Sequence, residues 1–339
     1  MINRDNIILT LSLLKEDIEK NISSLEYEAM YKKVEQQNAW FIKQHVQYSL
    51  KAILPCLKED YLREFCSKYA FATSEKTIAV IAAGNIPGVC LHDVFEVLLS
   101  GNKLLLKLSS VDNILVPFLL ERLNKYYLTI SNEELPIRYT DKISSFDAVI
   151  ATGSNSTSLY FETYFAKYPH IIRKSRSSIA VIDKEDNISG LEDDIMMYMG
   201  LGCRNISHLF LPKGFDFNVL QTLLKKYDYL INHSKYRNNY DYYKAVFLMN
   251  SIGFKDFKSL LLVENFELHS PVSVVYYTYY DDVTEVNNYL IEHKEEIQCI
   301  VADKFPLQQG FTKIPFGKAQ LPLLDDFADG VDTMRFLEF

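Results

Sequence analysis

The chain has 339 residues, a formal net charge of −8, a hydrophobic fraction of 48% and a charged fraction of 24%. That length is ample for two domains, and the composition is that of an ordinary globular protein rather than a disordered or collagenous one. An acidic balance with no basic tract disfavours a nucleic-acid surface, and no apolar stretch has the length of a membrane span.

The opening MINRDNIILTLSLLKEDIEK carries charges throughout and lacks the apolar core of a signal peptide. Residues 4 to about 70 read as helices, with polar faces alternating against Ile, Leu and aromatic positions and Pro55 breaking a long segment. KTIAVIAAG (76–84) is then a buried strand. IPGVCLHDVFEVLLSGN follows as a helix stopped by Gly101, KLLLKLS (103–109) as a strand, and DNILVPFLLERLNKYY as a helix. FDAVIAT (146–152) is a strand, GSNSTSLYFETYFAKYP a helix with Ser and Asn to cap it, and SSIAVID (177–183) a strand. Strand and helix alternate through 76–183, as in a parallel sheet covered by helices. A second alternation begins after Cys203: SHLFLP, helices at 216–229 and 234–250, then FKSLLLVEN, PVSVVYYTYY and IQCIVAD. The expected fold is α/β, with an N-terminal helical segment at 1–75, one domain at 76–190, a second at 191–312 and a C-terminal segment at 313–339.

Five segments could carry chemistry. AAGNIPGV places Asn85 at the carboxyl edge of a parallel sheet, where its amide could donate to an oxyanion or simply turn the chain. Lys107 ends a buried strand and needs an anionic partner, such as the ribose or ribose phosphate of a nucleotide, or an exit to the sheet edge. In IATGSNSTS, Gly153 turns the chain and Ser154 opens a helix, which suits either a phosphate or ordinary capping. Cys203, in GLGCRNISH, is either a buried apolar thiol or a nucleophile with Gly200 and Gly202 clearing its approach; His208 lies close enough in sequence to weigh as its partner. Glu267 precedes a strand and could accept from ribose hydroxyls. The remaining cysteines, Cys56, Cys66, Cys90 and Cys299, form no C-x-x-C pair with it, so neither a disulfide framework nor a metal site is expected, and a cytoplasmic setting is the simplest reading.

In their order and separation these segments resemble the aldehyde dehydrogenase superfamily, most closely its acyl-CoA reductase branch, the family of the bioluminescence fatty acid reductase. AGNIPGV is similar to the segment with the oxyanion-hole Asn, GNKLLLKLSS to the G-N-x-x-x-x-K-x-S strand, TGS at 152–154 to the turn beside the cofactor pyrophosphate, and GLGC to the approach to the catalytic Cys. ELHSPV resembles E-x-F-G-P-V, with His269 and Ser270 for the Phe and Gly, and IPFGKAQ and ADGVDTMRFL resemble late segments of the family. The resemblance covers about residue 76 to the end. It implies an aldehyde dehydrogenase-like fold of two three-layer Rossmann-like domains, with the active site in the cleft between them. It further implies catalytic roles for Cys203 and Asn85, a cofactor site of Lys107, Ser109, Gly153, Ser154 and Glu267, and no metal.

One departure bears on the reaction. Hydrolytic members carry a general-base Glu about thirty residues before the Cys, whereas HIIRKSRSSIAV has Ile172 there and no carboxylate nearby. The resemblance therefore implies NADPH-dependent reduction of an acyl-CoA or acyl-carrier thioester to an aldehyde. The alternatives are a non-redox Cys acyltransferase or thioesterase and a non-catalytic member of the fold. A homo-oligomer or an acyl-transferring partner enzyme is left open.

Overall fold

A computed structural model describes residues 2–338. The chain divides into two units, Met1–Ser175 with Pro322–Phe339, and Arg176–Leu321. The first begins with four helices, α1 (Arg4–Asn21), α2 (Leu25–Gln37), α3 (Lys43–Ile53) and α4 (Glu59–Ser67). The Asn3 side chain accepts the N–H groups of Asp5 and Asn6 at the start of α1, and Ser24 caps α2. Along α1, Ile7, Leu11, Leu14 and Ile18 recur at helical spacing and are fully buried, which forces that face inward. Pro55 sits in the 3₁₀ turn Leu54–Leu57, and α3 stops there.

The same unit continues as β1 (Thr77–Ile81), α5 (Leu91–Ser100), β2 (Lys103–Lys107), α6 (Leu115–Ser131), β3 (Ile137–Tyr139), β4 (Ala148–Thr152), α7 (Asn155–Phe165) and β5 (His170–Arg173). All five strands are parallel, in the order β3-β2-β1-β4-β5. The helices α1–α4 share one apolar core with α5, α6, β1 and β2. α5 starts at Leu91, so the AAGNIPGVC stretch is a nine-residue loop (82–90) and not the first turn of a helix.

Residues 322–338 complete this unit. Leu324, Met334 and Leu337 enter its core. The Asn102 amide donates to Leu337 O at 3.2 Å, and Arg173 Nη2 to Thr333 Oγ1 at 3.0 Å. Arg173 also pairs with Asp93 at 2.5 Å, both nearly buried. Burial, and then the charge of Asp93, hold the adjacent Glu96 carboxyl well above the usual carboxylate range.

The second unit contains β6 (Ser177–Val181), α8 (Leu191–Met196), β7 (Ile206–Pro212), α9 (Phe217–Leu224), α10 (Ser234–Met249), β8 (Phe254–Asp256), β9 (Leu261–Glu264), β10 (Val274–Tyr280), α11 (Val283–Glu292), β11 (Ile297–Val301) and β12 (Lys313–Ile314). Its sheet runs β12-β11-β6-β7-β10-β9-β8, parallel except for the β8–β9 pair.

The unit boundaries differ from those expected. β6 pairs with β7 and β11, so the division falls between Ser175 and Arg176 and not near residue 190. An apolar strand buried on both faces carries no mark of which sheet it joins. Likewise 313–339 is not one segment, because residues 313–321 lie in the second unit and the remainder in the first. Among the described residues no helix is long and apolar enough to cross a membrane.

Candidate active site

In the first unit, sheet register places Ile81 opposite both Lys107 and Ala151. The loops leaving β1, β2 and β4 therefore emerge side by side at the carboxyl edge, bringing Asn85, Lys107 with Ser109, and Gly153 with Ser154 to neighbouring strand ends. Chain order reverses on either side of β1, the position at which doubly wound sheets bind ligands.

The Asn85 loop is held against the loop after β2. A Cβ on Gly84 would overlap Ser109 Oγ and Val111 Cγ2, so only glycine permits this approach. Farther along, Pro87 O accepts Ser49 Oγ at 2.7 Å, and Gly88, at φ +68°, donates its N–H to Asp112 Oδ2 at 2.8 Å. Asn85 is half-buried within this loop. Asp112, which no motif in the sequence singled out, is buried, and its Oδ1 has no hydrogen-bond partner. Burial pushes its carboxyl up to about 7, with the Gly88 N–H pulling the other way.

Lys107 closes β2 half-buried, and its carbonyl accepts Ala82 N–H at 3.0 Å. Ser154 caps α7: its Oγ accepts Thr157 N–H at 3.3 Å and lies 2.9 Å from Thr157 Oγ1. Capping thus accounts for that hydroxyl. Residues 154–157 are exposed, so the positive end of the α7 dipole faces solvent. Gly153 N–H donates to Arg173 O at 3.1 Å.

In the second unit, Cys203 lies between α8 and β7. Tyr198 (φ 53°), Met199 (φ 58°) and Gly200 (φ 77°) are consecutive left-handed residues just before it. Such conformations in non-glycine residues cost energy and persist only where the surroundings impose them. The nearest protein atom to a Cβ built on Gly200 is Ile195 O at 3.8 Å, so protein packing does not demand a glycine here, while its left-handed backbone favours one.

Asn205 imposes the turn. Its Oδ1 accepts Gly202 N–H at 2.8 Å, while Nδ2 donates to Met197 O at 2.7 Å, Ile195 O at 3.1 Å and Asp194 O at 3.3 Å. Ser178 Oγ donates to Cys203 O at 2.8 Å. Among the five cysteines only Cys203 is not buried. Burial holds the Cys56 and Cys66 thiols up at about 12 and about 11, and raises Cys90 as well, so those three remain protonated.

Asp194, also missed in the sequence, ties the IPFGKAQ stretch to α8 by accepting Gly317 N–H at 2.7 Å and Ala319 N–H at 3.0 Å. A small pocket adjoins the cysteine turn, lined by Met199, Gly200, Ile206, Tyr236, Pro271 and Val274 among others. Glu267 is exposed in the crossover from β9 to β10. His208 is wholly buried, and its Nδ1 donates to Glu267 O at 2.8 Å, a backbone contact in place of a catalytic pair with Cys203.

The acyl-CoA reductase (LuxC) family matches residues 12–220. Comparison with curated protein sequences finds no match. Among solved structures the chain is similar to aldehyde dehydrogenase 21 from Physcomitrella patens in complex with the reaction product succinate, at TM-score 0.68 and 10% identity over 97% of this chain and 82% of that one. It is also similar to an NAD⁺ complex of an aldehyde dehydrogenase from Bacillus cereus, at TM-score 0.59 and 14% identity over 88% and 71%. A third is a mutant of aldehyde dehydrogenase C from Pseudomonas syringae in complex with NAD⁺ and octanal, at TM-score 0.58 and 10% identity over 90% and 72%. The two sheets described above are thus those of an aldehyde dehydrogenase-like fold. With the family match spanning more than half of its length, the chain belongs to the acyl-CoA reductase family and is an oxidoreductase acting on acyl or aldehyde groups.

Proposed function

We propose that this protein reduces an acyl thioester, of coenzyme A or an acyl carrier, to an aldehyde with NADPH, using Cys203 as the nucleophile. The observation that carries the reading is the contrast among cysteines: Cys203 is partly exposed on a turn locked by Asn205 and Ser178, while the others are buried. In this reading Cys203 Sγ attacks the thioester carbonyl, and the Asn85 amide and the Cys203 N–H stabilise the oxyanion. Collapse breaks the original C–S bond, and the thiol leaves with a proton.

A nicotinamide cofactor suits the donor set at the first unit's sheet edge. Lys107 and Ser109 offer an ammonium and a hydroxyl to a ribose or its 2′-phosphate, and the exposed start of α7 after Gly153 and Ser154 suits a pyrophosphate. Glu267, exposed, would accept from a ribose hydroxyl. Such a cofactor supplies the hydride that turns the acyl-enzyme into a thiohemiacetal, which releases the aldehyde and frees Cys203. The β5 stretch HIIRKSRSS contains no carboxylate to activate water against the acyl-enzyme.

The test follows oxidation of NADPH or NADH and thiol release together, over a series of acyl-CoA chain lengths. The two signals are expected in equal amounts, faster with NADPH, and Cys203→Ala should abolish both. Thiol release without cofactor oxidation would assign the protein to acyl transfer or hydrolysis instead.

A further inference from the structure

The crossover from β9 to β10 contains no helix or strand over residues 265–273, yet side chains hold its backbone residue by residue. Asn265 O accepts Thr278 Oγ1 at 3.0 Å, and Phe266 O accepts the Tyr289 hydroxyl at 3.0 Å. Glu267 O accepts His208 Nδ1 at 2.8 Å, and Leu268 O accepts Ser207 Oγ at 2.7 Å. The next residue, His269, bonds through Nδ1 to Ser177 Oγ at 2.6 Å. Irregular backbone ordinarily leaves its carbonyls to water. Here four carbonyls in succession are taken by the protein, around one exposed carboxylate.

Among these partners His208 is the one with no solvent exposure at all. Its ring lies between Phe210 and Tyr289, at centroid distances of 4.7 and 5.8 Å. Its Nε2 is buried without a hydrogen-bond partner, and burial lowers its pKa to about 4, so the ring is neutral with its proton on the nitrogen facing the carbonyl. A leucine would fill this aromatic niche without stranding a nitrogen. What histidine adds is one directed N–H, aimed at the backbone of Glu267.

We propose that His208 is a positioning residue for cofactor binding, fixing the Glu267 backbone so that the exposed carboxylate is presented in one place. This rests on the reading of Glu267 as a ribose-binding residue. A carboxylate on a loose crossover would have to be ordered upon binding, and a pre-set one removes that penalty.

The experiment compares Glu267→Gln, His208→Leu, His208→Asn and the double variant Glu267→Gln/His208→Leu. The readouts are the NADPH dissociation constant from cofactor fluorescence, kcat and KM for acyl-CoA separately, and the melting temperature. Asparagine places its amide nitrogen close to where Nδ1 lies, so it keeps the donor that leucine lacks. His208→Leu is expected to weaken NADPH binding about tenfold, the equivalent of one lost hydrogen bond. His208→Asn should restore most of that, and the double variant should lose less than the sum of the singles. Weakening by Glu267→Gln with none by His208→Leu would overturn the proposal while leaving the ribose reading intact. So would an asparagine variant that melts like the wild type yet binds NADPH no better than the leucine variant. No effect of Glu267→Gln would remove the ribose reading itself, and this proposal with it.

Discussion

Asp112 is a carboxylate where a neutral group would fit better. One oxygen accepts Gly88 N–H and the other is buried with no partner. Its carboxyl titrates at about 7 in the folded protein against an ordinary 3.8, so between those values the folded chain holds a proton that the unfolded chain has lost. Stability from this group is therefore full below about 4 and falls as pH rises through about 7, the reverse of a salt-bridged carboxylate. Asp112→Asn keeps an acceptor for Gly88 and removes the titration. Its melting temperature should fall less than that of the wild type between about pH 6 and about pH 8; parallel slopes would mean that Asp112 is already ionised at pH 6. Asn205 poses the opposite case, a polar side chain whose buried bonds are all made. Asn205→Ala would strand Gly202 N–H and the carbonyls of Met197 and Ile195, at a cost of about 2–4 kcal/mol. Urea unfolding should show that loss. Alkylation of Cys203 should also lose its single rate as the turn loosens; a variant with unchanged stability and alkylation would exclude Asn205 as the lock.

Two turns carry glycines for different reasons, and substitution separates them. Gly84 admits no Cβ because the loop after β2 is already in contact, while Gly200 has space but sits at φ 77°. Gly200→Ala should cost about 1 kcal/mol of stability and leave substantial turnover. Gly84→Ala must push the Asn85 and Ser109 loops apart, costing about 1–3 kcal/mol and a larger share of kcat. Reversed effects on turnover would mean that the glycines near Cys203 clear space for substrate. The same contrast governs what could be read in advance. TIAVI, KLLLK and AVIAT are apolar runs bounded by turn residues, and each is a strand. Ile137–Tyr139 and His170–Arg173 are short and partly polar, and Val283–Glu292 follows a tyrosine-rich strand without a break, so none of the three was expected. Cys203, Asn85 and Lys107 stand out as candidates because their neighbours resemble the segments of a known family. Asn205, Asp194 and Asp112 look like surface residues in CRNIS, LEDDI and SVDNI, because their partners are backbone groups that only the folded chain brings to them.

At the scale of the whole chain, the first unit is closed by the last residues of the sequence. Leu324, Met334 and Leu337 are at most 1% exposed within a core built otherwise from residues before 175. Polar anchors reinforce them: Asn102 to Leu337 O, Ala70 N–H to Glu338, Tyr61 to Asp325, and Arg173 to Thr333. The last contact lies at the buried Arg173–Asp93 pair, with the Glu96 carboxyl, raised by burial, beside it. Ending the chain at Leu321 would withdraw three buried side chains, worth about 1.5–3 kcal/mol each. It would also open an ionic cluster whose balance depends on being dry. A domain is commonly stable by about 5–15 kcal/mol, so this loss is enough to unfold the first unit or leave it marginal. The second unit's sheet draws on none of residues 322–338 and should keep its fold. Calorimetry of the truncated chain is expected to show the second unit's transition at its original temperature and the first unit's lowered or missing. If the proposed function holds, NADPH binding should be lost as well, because the proposed cofactor residues Lys107, Ser109 and Ser154 all belong to the unit that loosens. Retention of both transitions, with NADPH affinity unchanged, would mean that the C-terminal segment rests on the first unit without supporting it.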